Sequence, residues 1–384
     1  MSNPTSPPRF AFVGDSYSKV DELAQRALFD SSGQELLRQL KECGIDPKSC
    51  LFTNVFNLRF PNDDIRSFCI SKAAAVHTYP GVLPDLLEKY PQFPWPQAYD
   101  FPPIFGVGGF LHPHHLGHLG ELRQRLVAYN PALLIGMGNT SCWALFRSTG
   151  IGKLRGYSYP CTILPGGPRV IPTYHPSSII RQYSNRPIVL GDLRKALRLV
   201  SGPGVSPTAL DSVPRTIWLE PSLDDLEAWG KRAALSLPST RIAVDIETFG
   251  GTITCIGFGT VDTAICVPFW NRGYGEKIGD GLDGRSYWPT EEEERKALTW
   301  VRGVLEGPNT KILQNAQYDL QYIWKTWGLR VLGKIEDTML MAHAIQPEME
   351  KSLGFLGSAY TDVPAWKHLR KLSDARQKME KKDA

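Results

Sequence analysis

Short apolar runs separated by helix-length amphipathic stretches set the rhythm of the first half of the chain. Phe10-Ala11-Phe12-Val13, Cys50 to Val55, Ala132 to Ile135 and Arg169 to Pro172 read as strands. Helical patterns lie between them: Ser32 to Cys43, stopped by Gly44, then Gly117 to Tyr129 and Thr140 to Arg147. Strands alternating with helices predict an α/β fold, a largely parallel sheet covered by helices. A basic helix over Leu190 to Val200 then leads into Ser201-Gly202-Pro203-Gly204-Val205-Ser206-Pro207, a stretch without apolar periodicity that continues to Pro214. That seam predicts two domains, 1–200 and 215–384, joined by a linker over 201–214. Proline-rich Tyr90 to Pro103 has no new strand and helix behind it and reads as an excursion within the first domain, whereas glycine-rich Asn271 to Pro289 predicts a mobile loop in the second.

The second half opens on the apolar run Ile242-Ala243-Val244, which ends in Asp245-Ile246-Glu247. Side chains alternate faces along a strand, so Asp245 and Glu247 share one face while Ile242, Val244 and Ile246 take the other. Two carboxylates held together repel and lose hydration unless a cation sits between them, and divalent metal is the usual answer. Beyond the short strand Lys311-Ile312-Leu313, Asn315 and Asp319 are four residues apart and share a helix face. Asp337 then precedes an apolar helix that must stop near Pro347, and it reads as that helix's N-cap.

In this order the three segments resemble the proofreading 3′–5′ exonuclease domain of family A DNA polymerases, over about residues 215 to 384. The resemblance implies an RNase H-like fold with a mixed sheet. It further implies Asp245, Glu247 and Asp319 as catalytic ligands of Mg2+ or Mn2+, with Asn315 shaping the site near the DNA end. The family's fourth carboxylate follows a tyrosine by four residues. Tyr360-Thr361-Asp362 has the wrong spacing, Asp374 and Asp383 lack the tyrosine, and His368 does not stand at the alternative spacing. The expected metal site is one ligand short.

In the first half, four segments fall at strand ends, where ligands of such sheets bind. They are Gly14-Asp15-Ser16, Thr53-Asn54-Val55, Gly136-Met137-Gly138-Asn139 and Tyr174-His175-Pro176-Ser177-Ser178. Together they resemble the uracil-DNA glycosylase superfamily, particularly its bacterial and phage branches, over about residues 10 to 198. The resemblance implies a three-layer parallel-sheet domain that flips a nucleotide out of the stack. Asn54 would then hydrogen-bond the uracil edge, and His175 would stabilise negative charge on the departing base. Asp15 would position water or support the sugar cation, while Ser177, Ser178 and Arg181 would grip DNA. The first motif lacks the proline of better-known members. Counting back from Gly33, the ring expected to stack on uracil falls on Leu28, with Phe29 beside it.

Composition adds little against this. At 42% hydrophobic and 21% charged, with no apolar run of membrane-spanning length, the 384 residues describe a soluble globular protein. The start, Met1 to Arg9, has no apolar signal core, and seven scattered cysteines without a Cys-x-x-Cys pair suggest a reducing cytoplasm. The cysteines of the family's iron–sulfur branch are absent, so no iron–sulfur cluster is expected and the glycosylase half needs no cofactor. His112-Pro113-His114-His115-Leu116-Gly117-His118 offers imidazoles for zinc but no flanking Cys or carboxylate at ligand spacing, and reads better as a solvated loop near DNA. A net charge of +4 permits nucleic-acid binding. The expectation is a two-domain phage or bacterial enzyme of DNA repair and replication, with DNA and a DNA polymerase, or a polymerase domain downstream, as partners. Two alternatives stay open: a non-catalytic DNA-gripping module, and an N-terminal fragment of a larger family A polymerase.

Overall fold

The computed structural model describes residues 9–104, 109–201, 216–271 and 285–361. Most of the expected linker, most of the glycine-rich insertion, and Asp362, His368, Asp374 and Asp383 lie outside the described residues. The chain forms two compact units, Met1–Ser212 with Gly354–Ala384, and Val213–Leu353. The expected second domain ran over 215–384, whereas the described residues 354–361 pack with the first unit.

The first unit contains, in chain order, β1 (Phe10–Ser16), α1 (Lys19–Ala24), α2 (Ser31–Glu42), β2 (Cys50–Phe56), β3 (Cys69–Ile70) and α3 (Lys72–Lys89). It continues with β4 (Phe110–Leu111), α4 (Gly117–Tyr129), β5 (Leu133–Met137), α5 (Asn139–Phe146) and α6 (Ile151–Leu154). β6 (Val170–Thr173), α7 (Pro176–Arg181) and α8 (Arg186–Ser201) complete the run. Its main sheet has the order β2-β1-β5-β6, with every neighbouring pair parallel. A parallel sheet is buried on both faces, and β1 shows why the sequence allows it. Phe10 and Phe12 face Leu36 and Leu40 of α2 and Leu193 of α8, while Ala11 and Val13 belong to the opposite core with Leu122 of α4 and Trp143 of α5. Each large side chain so buried stabilises the unit by about 1.5–3 kcal/mol.

The expected helix Ser32 to Cys43 is found as α2, one residue earlier, because the Asp30 carboxylate caps it by accepting from Gly33 N–H. Gly44 follows at φ +74°, a conformation that suits glycine at a helix end. α3 had no counterpart in the sequence reading: Pro80 and Pro84 lie inside it and break the pattern that usually betrays a helix. The excursion Tyr90 to Pro103 folds back onto the sheet, burying Tyr90, Phe93, Trp95, Tyr99 and Phe101 in the same core as Ala11 and Val13.

The second unit runs through β7 (Thr216–Trp218), α9 (Leu223–Arg232), β8 (Arg241–Phe249), β9 (Thr252–Gly259), β10 (Thr263–Pro268) and β11 (Trp270–Asn271). β12 (Arg285–Ser286), α10 (Glu291–Glu306), β13 (Thr310–Leu313), α11 (Ala316–Trp327), β14 (Ile335–Asp337) and α12 (Thr338–Ile345) complete it, and α13 (Leu353–Tyr360), which follows, belongs from Gly354 on to the first unit. Its sheet is mixed, in the order β14-β13-β8-β9-β10-β7: β8, β9 and β10 form an antiparallel meander, and β13 and β14 add in parallel. Ile242, Val244 and Ile246 of β8 are buried with Trp229 of α9 and Val301 and Leu305 of α10, so the alternation expected of this strand is present. Among the described residues no helix is long and apolar enough to cross a membrane.

Asp337 is the N-cap of α12, as its place before an apolar helix predicted, and it does more. Its carboxylate accepts from Met339 N–H at 2.8 Å and Leu340 N–H at 3.3 Å, and also from Asn315 N–H at 3.1 Å and Ala316 N–H at 2.8 Å at the start of α11. One side chain thereby satisfies amides of two helix ends that α-helix geometry leaves without partners. Asp337→Ala is expected to destabilise the second unit by about 1–2 kcal/mol, measured by denaturant unfolding. The loss should be the same in EDTA and in magnesium; a loss seen only with magnesium would make Asp337 a metal ligand instead.

Candidate functional site

The ends of the four parallel strands bring Asp15, Asn54 and His175 together, and two glycines make their approach possible. Gly14 and Asn54 are register partners on β1 and β2. A Cβ at Gly14 would lie 2.4 Å from Asn54 Oδ1 and 3.5 Å from His175 Nε2. Gly138, in the turn from β5 to α5, has φ +90°, and a Cβ there would lie 3.3 Å from both Asp15 carboxylate oxygens and 3.5 Å from His175 Cβ. Any side chain at either position would occupy the space the polar groups share.

Asn54 is 1% exposed, and both Nδ2 and Oδ1 lack a hydrogen-bond partner. Buried amides are normally paired, so this one is held ready for a partner that brings both an acceptor and a donor. Its backbone is fixed from α4, where Arg125 donates to Asn54 O at 2.9 Å and to Thr53 Oγ1 at 3.0 Å. His175 caps α7: its Nδ1 accepts from Ser177 N–H at 3.3 Å and lies 2.8 Å from Ser177 Oγ. With Nδ1 accepting, the proton of a neutral ring sits on Nε2, the nitrogen beside Gly14 and Asn54. Asp15 has Oδ1 buried without a partner. Burial pushes its carboxyl above the ordinary aspartate value, against the opposing pull of His175 and the α5 residues Thr140 and Ser141.

The other expected DNA contacts are spread around this centre. Ser177 is engaged with His175, Ser178 Oγ is buried without a partner, and Arg181 ends α7 exposed. Leu28 is half-buried against the core containing Phe10 and Phe12, whereas Phe29 is 44% exposed with Arg26 over its ring at 5.7 Å. Gly33 accommodates Leu28, whose carbonyl oxygen would lie 1.6 Å from a Cβ at that position. The residue that organises this loop went unnoticed in the sequence. Asp21, 3% exposed, accepts from Ser18 N–H and Oγ–H at 2.9 Å, from Phe29 N–H at 2.6 Å and from Asp30 N–H at 3.3 Å. The Ser18-x-x-Asp21 capping box was its available signal. The imidazoles of 112–118 form a stacked group instead: His115 lies on Phe68 at 3.8 Å and His118 against Phe56 at 5.4 Å.

In the second unit Asp245 and Glu247 do project from one face of β8, and the pairing with β9 is irregular just past Glu247. Asp319, 4% exposed on α11, accepts from Ile246 N–H at 3.2 Å, which sets its carboxylate against the strand between the two acids. Burial, and then Glu247, push the Asp245 carboxyl up. Asp319 is pushed up to about 6, by burial and by the charges of Asp245 and Asp337, against the Ile246 N–H. Clustered oxygen anions are the donor chemistry that hard cations take. Among the described residues, however, no group of three or more His, Cys, Asp or Glu side chains is arranged to hold a metal ion. Asn315 sits one turn from Asp319 in left-handed conformation (φ 62°). It lines a groove of about 950 Å³ with Leu320, Glu336, Met339 and Leu340, which none of Asp245, Glu247 and Asp319 lines.

Compared with known proteins, residues 3–198 match the sequence model of the uracil DNA glycosylase superfamily. Over 200 residues the chain is 26% identical to the Type-4 uracil-DNA glycosylase of Thermotoga maritima, covering 51% of this chain and 80% of that protein. Solved structures to which the chain shows some similarity include the catalytic core of RRP6 from Trypanosoma brucei, at 20% identity and TM-score 0.27, covering 39% of this chain and 35% of that one. Brucella melitensis NrnC with bound Mg2+ is another, at 15% identity and TM-score 0.24, covering 39% of this chain and 62% of that one. The match thus spans about a third to under two thirds of these two structures' own length.

A buried carboxylate oxygen without a donor costs stability whatever it does for chemistry. Asp15→Asn is therefore expected to raise stability by about 0.5–2 kcal/mol, read as a higher midpoint in urea. A lower midpoint would mean that the carboxylate is structurally satisfied.

Proposed function

The chain belongs to the uracil-DNA glycosylase superfamily, and from that premise we propose that its first unit hydrolyses the bond between uracil and deoxyribose in DNA. The observation that carries the reading is Asn54: a buried amide with both polar atoms unpaired, beside the protonated nitrogen of His175. A flipped uracil offers a carbonyl acceptor and a ring N–H donor on one edge, and an amide matches both at once. The superfamily resemblance assigns His175 to the departing base, and Nε2–H donation to a uracil carbonyl oxygen would meet the charge that develops there. The electron pair of the glycosidic bond leaves with uracil, water adds its oxygen to C1′, and the water's proton ends on the solvent or the base. Asp15 would support the cationic sugar and orient that water. Exposed Phe29 is the better placed of Leu28 and Phe29 to reach a base, and Ser177, Ser178 and Arg181 would hold phosphates. No step requires metal.

For the second unit we propose a 3′–5′ exonuclease-like role, supported by the shared face of Asp245 and Glu247 and by Asp319 docked against Ile246 between them. These residues would hold Mg2+ or Mn2+, and the metal when bound would polarise the scissile phosphate and activate water. A DNA-gripping role in service of a polymerase is the second reading. It is favoured by the lack of a three-ligand metal group among the described residues.

Incubated with EDTA, the protein is expected to convert uracil-containing DNA to alkali-labile abasic DNA. His175→Ala should lower kcat by about 10²–10³ while leaving the unfolding midpoint unchanged; equal activity would move the chemistry elsewhere. Because Asp15 must be ionised and its carboxyl titrates above the ordinary value, activity should fall on acidification at a pH above about 3.9. That acid limb should be missing from the residual activity of Asp15→Asn. With magnesium or manganese, digestion from a labelled 3′ end is expected to be slow or absent. Fast digestion abolished by Asp245→Ala would mean the ligand set is complete after all.

A further inference from the structure

Residues 354–361 follow the second unit in sequence yet belong to the first. Their seat is built from charge rather than from apolar surface alone. Arg155, Asp192 and Lys195 are 2%, 2% and 3% exposed. Arg155 pairs through Nη2 with Asp192, donates through Nε to Asp192 Oδ2 at 3.1 Å, and reaches Ser358 Oγ through Nη1 at 3.1 Å. Its guanidinium lies 4.8 Å from the centre of the Phe355 ring. Lys195 Nζ donates to Gly156 O at 2.7 Å, Ser358 O at 2.9 Å and Thr361 O at 2.5 Å, and Tyr157 OH donates to Gly354 O at 2.5 Å. Gly156 has φ +75°, and a Cβ there would lie 2.9 Å from Asp192 Oδ1 and 3.1 Å from Ser358 O. Arg155, Gly156, Tyr157 and Lys195 of the first unit's own body thus meet the returning segment with matched donors, acceptors and free space.

The same network ends at the candidate site. Thr173, the last residue of β6, donates its hydroxyl to Asp192 Oδ2 at 2.7 Å, and its carbonyl accepts from Gly138 N–H at 3.0 Å. Gly138 is the glycine between Asp15 and His175, and His175 is two residues beyond Thr173. We propose that residues 354–361 are a working part of the glycosylase unit. Docked, they complete the acceptor set of Arg155 and Lys195, which fixes Asp192, Thr173 and, through it, the His175 and Gly138 turns. Asp192, Arg155 and Ser358 are positioning residues in this account. The catalytic side of the inference rests on the glycosylase reading above.

The test uses the full chain with Phe355→Ala and, as the milder change, Ser358→Ala, read by amide hydrogen exchange and by uracil-release kinetics. Exchange is expected to accelerate over 354–361 and equally over 173–178. kcat should fall roughly tenfold or more, as misplacement of a reacting group does, while KM rises less, because the DNA contacts proposed for Phe29 and Arg181 lie outside 173–178. If 354–361 exchanges faster while 173–178 and kcat stay as in the wild type, the segment is only a peripheral attachment and the proposal is overturned. Should Phe355→Ala unfold the unit, Ser358→Ala decides alone. Should the wild type release no uracil, the glycosylase reading falls, and exchange over 173–178 still decides whether the docked segment holds the His175 turn.

Discussion

Polar groups buried at the carboxyl ends of parallel strands are the constraint from which the first unit's design follows. A parallel sheet covered on both faces leaves only its strand ends for chemistry, and there the backbone must bend away without filling the space with side chains. Gly14 and Gly138 meet that demand, one because a Cβ would strike Asn54 and the other because its φ is positive as well. The result is an unpaired amide, an imidazole with a defined donor nitrogen and a carboxylate driven up by burial, all within reach of one small volume. Each of these arrangements costs folding free energy, and a ligand that satisfies them recovers it.

The stability that tolerates such a site comes from the two apolar layers and from a second set of buried charges that is fully engaged. Arg155, Asp192 and Lys195 sit in the interior with hydrogen bonds in several directions, the condition under which buried charge is tolerable. Part of that satisfaction is supplied by a segment some 200 positions away in sequence, after another unit has been made. The second unit is in this sense an excursion from the first, leaving after α8 and returning at residue 354.

In the second unit like charges are gathered rather than separated. Burial first, and then the charge of Asp245, raise the Asp319 carboxyl; burial, and then Glu247, raise Asp245; and the amide of Ile246 offsets only part of the rise at Asp319. Asp337, close by, is kept for structure: its four backbone donors bind the starts of two helices together and leave the site's acidic face to the other three.

Local rules were enough for a good deal. Alternation along β1 and β8 determined which side chains share a face, because the period of a strand is a matter of backbone geometry. The order of strand-end segments made Asp15, Asn54 and His175 legible as a set, and an acid before an apolar helix made Asp337 legible as a cap. What the sequence hid depends on contacts between distant residues. Prolines inside α3 masked a helix that tertiary packing supports. Asp21 looked like an ordinary helix-start acid until Phe29 and Asp30 folded onto it. That both ends of the Asn54 amide lack partners, and that 354–361 return to Arg155 and Lys195, follow from no local pattern. Pairing between groups so far apart is settled only when the whole chain closes around them.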